Sequence, residues 1–158
     1  MKFLDEDSVQ SYMMQIMRLN YVRLQELLEN TGAHHGQPPV LFALYKENGL
    51  SQKELANRIN VKPATITVTL QGMEKSGMVK RKQDERDKRI TRIYLTERGV
   101  EVCKKACEVT EILEKESTAN FTREELIILR RLLMQMRDNL KIVVKKGDMD
   151  LSMKCHNK

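Results

Sequence analysis

Residues 80 to 92, KRKQDERDKRITR, set seven Lys or Arg against three Asp or Glu, a net of +4 in thirteen residues. The whole 158-residue chain carries only +6, so most of the excess sits in this one place. Clustered guanidinium and ammonium groups bind phosphate. Arginine also enters a narrow minor groove. The competing use of such a run is a solvated loop with internal ion pairs, which contribute little.

Other chemistry-bearing side chains are sparse. Cys103 and Cys107 stand four apart, with only Lys104 and Lys105 to lower their pKa, and read as small buried hydrophobes. Cys155 and His156 are too few ligands for a metal. His34 and His35 are adjacent, so their side chains diverge. No metal and no cofactor is expected. A Gly-rich phosphate loop, a nucleophile elbow and paired carboxylates in an apolar setting are all missing from the sequence, so no enzyme is expected.

Hydrophobic residues make up 41% and charged residues 32%, as in an ordered, helix-rich soluble protein. Ten Met supply flexible apolar volume where aromatics reach only 4%. No apolar run approaches the roughly 20 residues of a membrane span. The start, MKFLDEDSVQ, lacks the apolar core of a signal peptide. Three Cys, an odd count without framework spacing, read as reduced thiols. A cytoplasmic location without a membrane partner is expected.

The elements that must position the basic run follow from periodicity. Residues 8 to 30 carry Val9, Tyr12, Met13, Ile16, Leu19, Leu24 and Leu27 at helical spacing, capped by Asp7 or Ser8. TGAHHGQPP breaks the pattern, and residues 39 to 48 form a short apolar helix ended by Asn48-Gly49. Ser51 and Glu54 make a capping box for a helix with Leu55, Ala56 and Ile59 inward. Pro63 opens the next helix, Ile66, Leu70 and Met73 define its buried face, and Gly77 stops it. Thr91, Ile93 and Leu95 alternate as a strand, Val79 belongs to its partner, and Lys82 to Arg89 connect the two. Thr96 caps a long helix with Gly99, Cys103, Ala106, Thr110 and Leu113 inward. Thr122 and Glu125 cap a last helix, whose Leu126, Leu129, Leu133, Met136, Leu140 and Val143 form a heptad seam. The tail after Lys146 is polar and reads as frayed.

Two short helices on a tight turn followed by a charged hairpin describe a winged helix-turn-helix. With Ile66 inward, the face opposite holds Ala64, Thr65, Val68, Gln71, Gly72 and Lys75. Gln71 suits an adenine edge, and Val68 with the Thr65 methyl suits thymine methyls. Any surface helix has a polar face, but Gly72 costs about 1 kcal/mol against Ala and calls for a compensating close approach.

The stretch LSQKELANRINVKPATITVTLQGMEKSGMVKRKQDERDKRITRIYLTERG resembles the MarR family of bacterial transcriptional regulators. The specific part is DERDKRITRIYLTERG, with D-x-R-D-x-R, an apolar strand and L-T-x-x-G in order. The resemblance implies a mainly α fold with a small β-hairpin wing: a winged helix-turn-helix plus a helical dimerisation domain. It implies a homodimer held by the first and last helices through Val9, Tyr12, Leu129, Leu133, Met136 and Leu140. The dimerisation region then spans 1–36 and 96–146, the DNA-binding region 37–95 and a tail 147–158. Recognition-helix roles fall on Lys62, Ala64, Thr65, Thr67, Val68 and Gln71. Arg86 and Lys88 reach the minor groove from the wing, with Arg81 and Arg89 in its basic surface. Asp84 and Asp87, with Arg89, brace it by ion pairs. Lys62 stands where many members have a capping Ser, Thr or Asn, and Val68 where they often have Arg.

The resemblance further implies a repressor that binds a pseudo-palindromic duplex DNA site and answers to a small-molecule effector, an aromatic or phenolic one, or to oxidation. Met13, Met17, Phe42 and Tyr45 would line the effector site, with His34 and His35 as polar anchors; the same residues also read as plain core. A redox-sensing regulator of the same fold and a winged-helix protein-interaction module without DNA binding are the competing functions.

Overall fold

The structure is a computed structural model describing residues 5–144. Six helices and three short strands follow in the order α1 (Val9–Leu28), α2 (Pro38–Lys46), β1 (Leu50–Ser51), α3 (Gln52–Arg58), α4 (Pro63–Lys75), β2 (Val79–Gln83), β3 (Thr91–Leu95), α5 (Glu97–Ser117) and α6 (Arg123–Val143). The fold is mainly α with a winged helix-turn-helix at its centre. The tail after Lys146, with Cys155 and His156, lies outside the described residues.

Local chemistry sets most boundaries. Ser8 Oγ accepts from the Ser11 N–H, and Ser51–Glu54 and Thr122–Glu125 both close reciprocal capping boxes. Lys62 gives α4 no side-chain cap, as its chemistry dictates. Ile66, Leu70 and Met73 are each fully buried, at about 1.5–3 kcal/mol apiece, which outweighs a missing cap.

The sheet runs β1-β3-β2, all antiparallel. Three sequence expectations change here. The hairpin connection is 84 to 90, because Lys82 and Gln83 extend β2 opposite Arg92 and Thr91. Strand β1 is too short to show a period, yet Leu50 pairs with Ile93. On α5 the inward face also takes Val102 and Val109, while Thr110 and Leu113 are only half-buried.

The core joins α2, α3, α4 and the sheet to the first half of α5. At the junction Thr96 caps α5 through the Gly99 N–H at 3.0 Å and donates its hydroxyl to Gly77 O at 2.6 Å. The Met78 carbonyl accepts from Thr96 N at 3.0 Å and lies 2.1 Å from where a Gly99 Cβ would stand. Only glycine allows that approach. Helix α1 adds only Leu28 to this core as a fully buried residue, and α6 buries none of its residues.

Gly99→Ala should therefore cost about 3 kcal/mol, the upper range for overpacking, because the obstacle is backbone. A denaturant melt reads this directly; wild-type stability would refute the close packing.

Candidate nucleic-acid interface

Helix α4 packs inward through Ile66, Leu70 and Met73 and leaves the opposite face open. Val68 on that face is 69% exposed, and Ala64, Thr65, Gln71 and Lys75 are exposed with it. An isolated apolar side chain held in water next to short polar ones matches a groove edge with thymine methyls. Thr67 sits differently. Its hydroxyl accepts from Gln52 Nε2 at 2.6 Å and donates to Pro63 O at 2.8 Å. This pair clamps α3 to the first turn of α4, the turn Lys62 leaves uncapped.

The wing is braced from inside. Asp84 Oδ1 accepts from the Arg86 N–H at 2.8 Å and the Asp87 N–H at 3.0 Å, and the Asp84 N–H bonds Ile90 O at 2.9 Å. Its other oxygen takes Arg92 Nε. Arg92 also donates to Gly49 O at 3.0 Å and lies 3.6 Å from Glu54, whose carboxylate is held by the Ser51 N–H. One guanidinium thus links the wing loop, the turn between α2 and β1, and the capping box of α3. The Arg92 guanidinium first, then the two backbone N–H groups, hold the Asp84 carboxyl down at about 2.

The four predicted wing cations divide. Arg81 lies on the inward side of β2 with Val79 and turns to Glu74 on α4 at 3.0 Å. Arg89 forks onto Asp87 at 3.0 and 3.1 Å, and that bond holds the Asp87 carboxyl below its usual range. Arg86 and Lys88 stand exposed at the tip with no ion pair among the described residues. On the outer face of β2 and β3, Lys82 lies over the Tyr94 ring at 5.9 Å. The bracing role of Arg92 and the Gln52–Thr67 clamp leave no signal in the sequence. Both join residues whose partners are distant in the chain or not distinguished by type.

The residues read as an effector site are spread over two helices. Met13 is half-buried and Met17 exposed on α1, while on α2 Phe42 packs partly against the core and Tyr45 is exposed. Helices α1 and α2 both pack on α5. His35 meets Tyr21 edge-on at 4.5 Å, and His34 gives its backbone N–H to Gln37. Cys103 is buried, and burial pushes its thiol up to about 12, with Cys107 adding to the effect. A thiol so raised is no nucleophile at neutral pH.

A helix with an open reading face beside a rigid basic hairpin defines the winged helix-turn-helix DNA-binding class. Comparison gives the family. Residues 35–91 match the MarR family. The HTH-type transcriptional regulator YdgJ of Bacillus subtilis (strain 168) is 34% identical over 110 residues, covering 70% of this chain and 67% of that protein. A MarR transcriptional regulator from Methanosarcina mazei Go1 superposes with TM-score 0.72 at 25% identity, over 85% of this chain and 97% of that one. The organohalide-sensing regulator RdhR-CbdbA1625, solved with 2,4-dichlorophenol bound, reaches TM-score 0.80 over 99% and 100% of the two chains. At 20% identity that likeness concerns the fold alone. The chain belongs to the MarR family: it is a DNA-binding transcriptional regulator with a winged-helix fold. No helix among the described residues is long and apolar enough to cross a membrane.

The low Asp84 pKa sets an acid limit for the wing. A carboxylate depressed in the folded state contributes above its ordinary value near 3.8 and loses that contribution as pH falls through about 2. The amide resonances of Arg86 and Asp87 should therefore keep their positions at pH 4 and move with a midpoint near 2. A midpoint near 4 would contradict the brace.

Proposed function

We propose that the protein is a cytoplasmic repressor that binds a pseudo-palindromic duplex site as a homodimer and releases it on binding a small aromatic or phenolic effector. The observation that carries the DNA half is the division of charges in the wing. Asp84, Asp87 and Glu74 occupy Arg92, Arg89 and Arg81. Among the described residues Arg86 and Lys88 extend from the braced tip without an ion-pair partner, on the hairpin whose β2 packs on α4. In this reading Lys62, Ala64, Thr65, Val68 and Gln71 face the major groove, Arg86 and Lys88 reach the minor groove, and Arg81 and Arg89 add positive potential. Thr67 acts through the clamp to Gln52.

The dimer half rests on uncovered apolar surface. Val9, Tyr12, Leu133 and Leu140 are exposed, and Leu129 and Met136 half-buried, on two helices that bury almost nothing within the chain. Pairing would set two recognition helices about one helical turn apart, roughly 34 Å. An effector held between α1, α2 and α5, near Met13, Met17, His34, His35, Phe42 and Tyr45, would bias that spacing by preferring one arrangement. The 2,4-dichlorophenol bound by RdhR-CbdbA1625 supports the aromatic class. The buried, raised Cys103 thiol weighs against the redox reading.

Arg86→Ala should lower affinity for duplex DNA about tenfold, flatten the salt dependence by about one phosphate per protomer, and leave the dimer mass unchanged. Loss of the dimer in that variant would refute the wing assignment. Leu133→Glu should instead give a monomer by sedimentation, since it buries a charge in the proposed seam; a persistent dimer would place the interface elsewhere.

A further inference from the structure

The first turn of α2 holds one polar group that the fold leaves unused. Gln37 is only 6% exposed, and its Oε1 accepts from the His34 N–H at 2.8 Å. That half of the amide ties the 30–37 connection to α2. The other half, Nε2, donates to no atom among the described residues. It lies 3.8 Å from where a Cβ of Gly72 would stand, on the exposed flank of the recognition helix.

Three features make this an anion site open on one side. Pro38 and Pro39 fill the first positions of α2 and lack N–H groups, so the backbone there cannot supply the usual donors. The helix dipole still favours negative charge at that end. The flank beside the amide is also flat. Thr65, Thr69, Gly72 and Ser76 follow one another at helical spacing, and Thr69 and Ser76 turn their hydroxyls back onto Thr65 O and Gly72 O. Among the described residues nothing demands a glycine at 72, since an added Cβ would meet Gln37 at ordinary contact distance. Any longer side chain, however, would cover the amide.

We propose that Gln37 is a DNA-backbone contact: its Nε2 donates to a phosphate oxygen that enters through the notch at Gly72 while α4 occupies the major groove. The contact rests on the DNA-binding reading above. It explains why an otherwise costly glycine sits on this helix, and it links the connection leaving α1 directly to the nucleic acid.

The test uses the full chain and a mixed-sequence DNA duplex across a salt series. Gln37→Glu keeps an oxygen for the His34 N–H but exchanges the donor for a carboxylate oxygen. It should lower affinity about tenfold at low salt, with the deficit shrinking as salt rises, at wild-type melting temperature and dimer mass. Gly72→Leu leaves Gln37 and its loop in place and favours helix, yet covers the amide; it should lose affinity to a similar degree. Duplex should also shift the Gln37 side-chain amide resonance. Stable folding with affinity within twofold of wild type in both variants overturns the contact. Absence of salt-dependent duplex binding by the wild type would instead overturn the DNA reading itself.

Discussion

Met78 ties the reading helix and the wing to α5, beside the packing of α2 and β3 on the same helix. Its own N–H bonds Met73 O at 2.8 Å, closing the end of α4. Its oxygen takes the Thr96 N–H and faces Gly99 with no side chain between. Three elements, α4, β2 and α5, therefore meet at one residue. Packed interiors are bistable rather than smoothly deformable. A tilt of α5 must accordingly carry α4 and the wing with it. In the proposed dimer this makes the spacing of the recognition helices a property of the α5 contacts, which is where an effector would have to act.

The wing shows how acids and bases share one charged run. Two of its three acidic residues, Asp84 and Asp87, do more than dilute positive charge. Asp84 organises the loop by accepting two backbone N–H groups and Arg92, and Asp87 holds Arg89. Exposed pairs such as Arg89–Asp87 contribute little free energy, so their value is geometric. The half-buried Arg92 is the stronger constraint because it joins Asp84, Gly49 and Glu54, which belong to three different segments. Internal neutralisation at the base and free cations at the tip give a hairpin that directs its charge outward.

The parts legible in the sequence were those set by neighbours in the chain. Caps such as Ser51–Glu54 and Thr122–Glu125 need residues three apart. The placement of Pro63 and the spacing of Ile66, Leu70 and Met73 likewise define α4 without tertiary information. What escaped was long-range or chemically silent. Strand β1 exists only because β3 lies beside it. Arg92 looks like any other wing cation until Asp84 and Gly49 are brought to it. Thr67 has the same side chain as Thr65, yet its hydroxyl accepts from Gln52. Gly72 stood out as costly in the sequence, but only its nearness to Gln37 indicates what the missing side chain leaves open.

Helix α6 raises a question that the single chain does not answer internally. Its 21 residues carry Leu and Ile along one side, and none of them is buried. Capping at Thr122 fixes where it starts but contributes only about 1 kcal/mol. A helix of this length gains most of its stability from packing an apolar face, not from propensity. Helix α1 is covered only at its end, where Leu24, Leu27 and Leu28 meet the core, and Arg23 forks onto Glu116 of α5 at 2.7 Å, an exposed pair of small worth. Both helices therefore need a second surface, and the two uncovered faces come from opposite ends of one chain. In the proposed dimer a partner copy would supply both at once, since a two-fold interface presents the same patch from each side. In that arrangement the reading head brings its own core, and the proposed dimer brings the core that α1 and α6 lack.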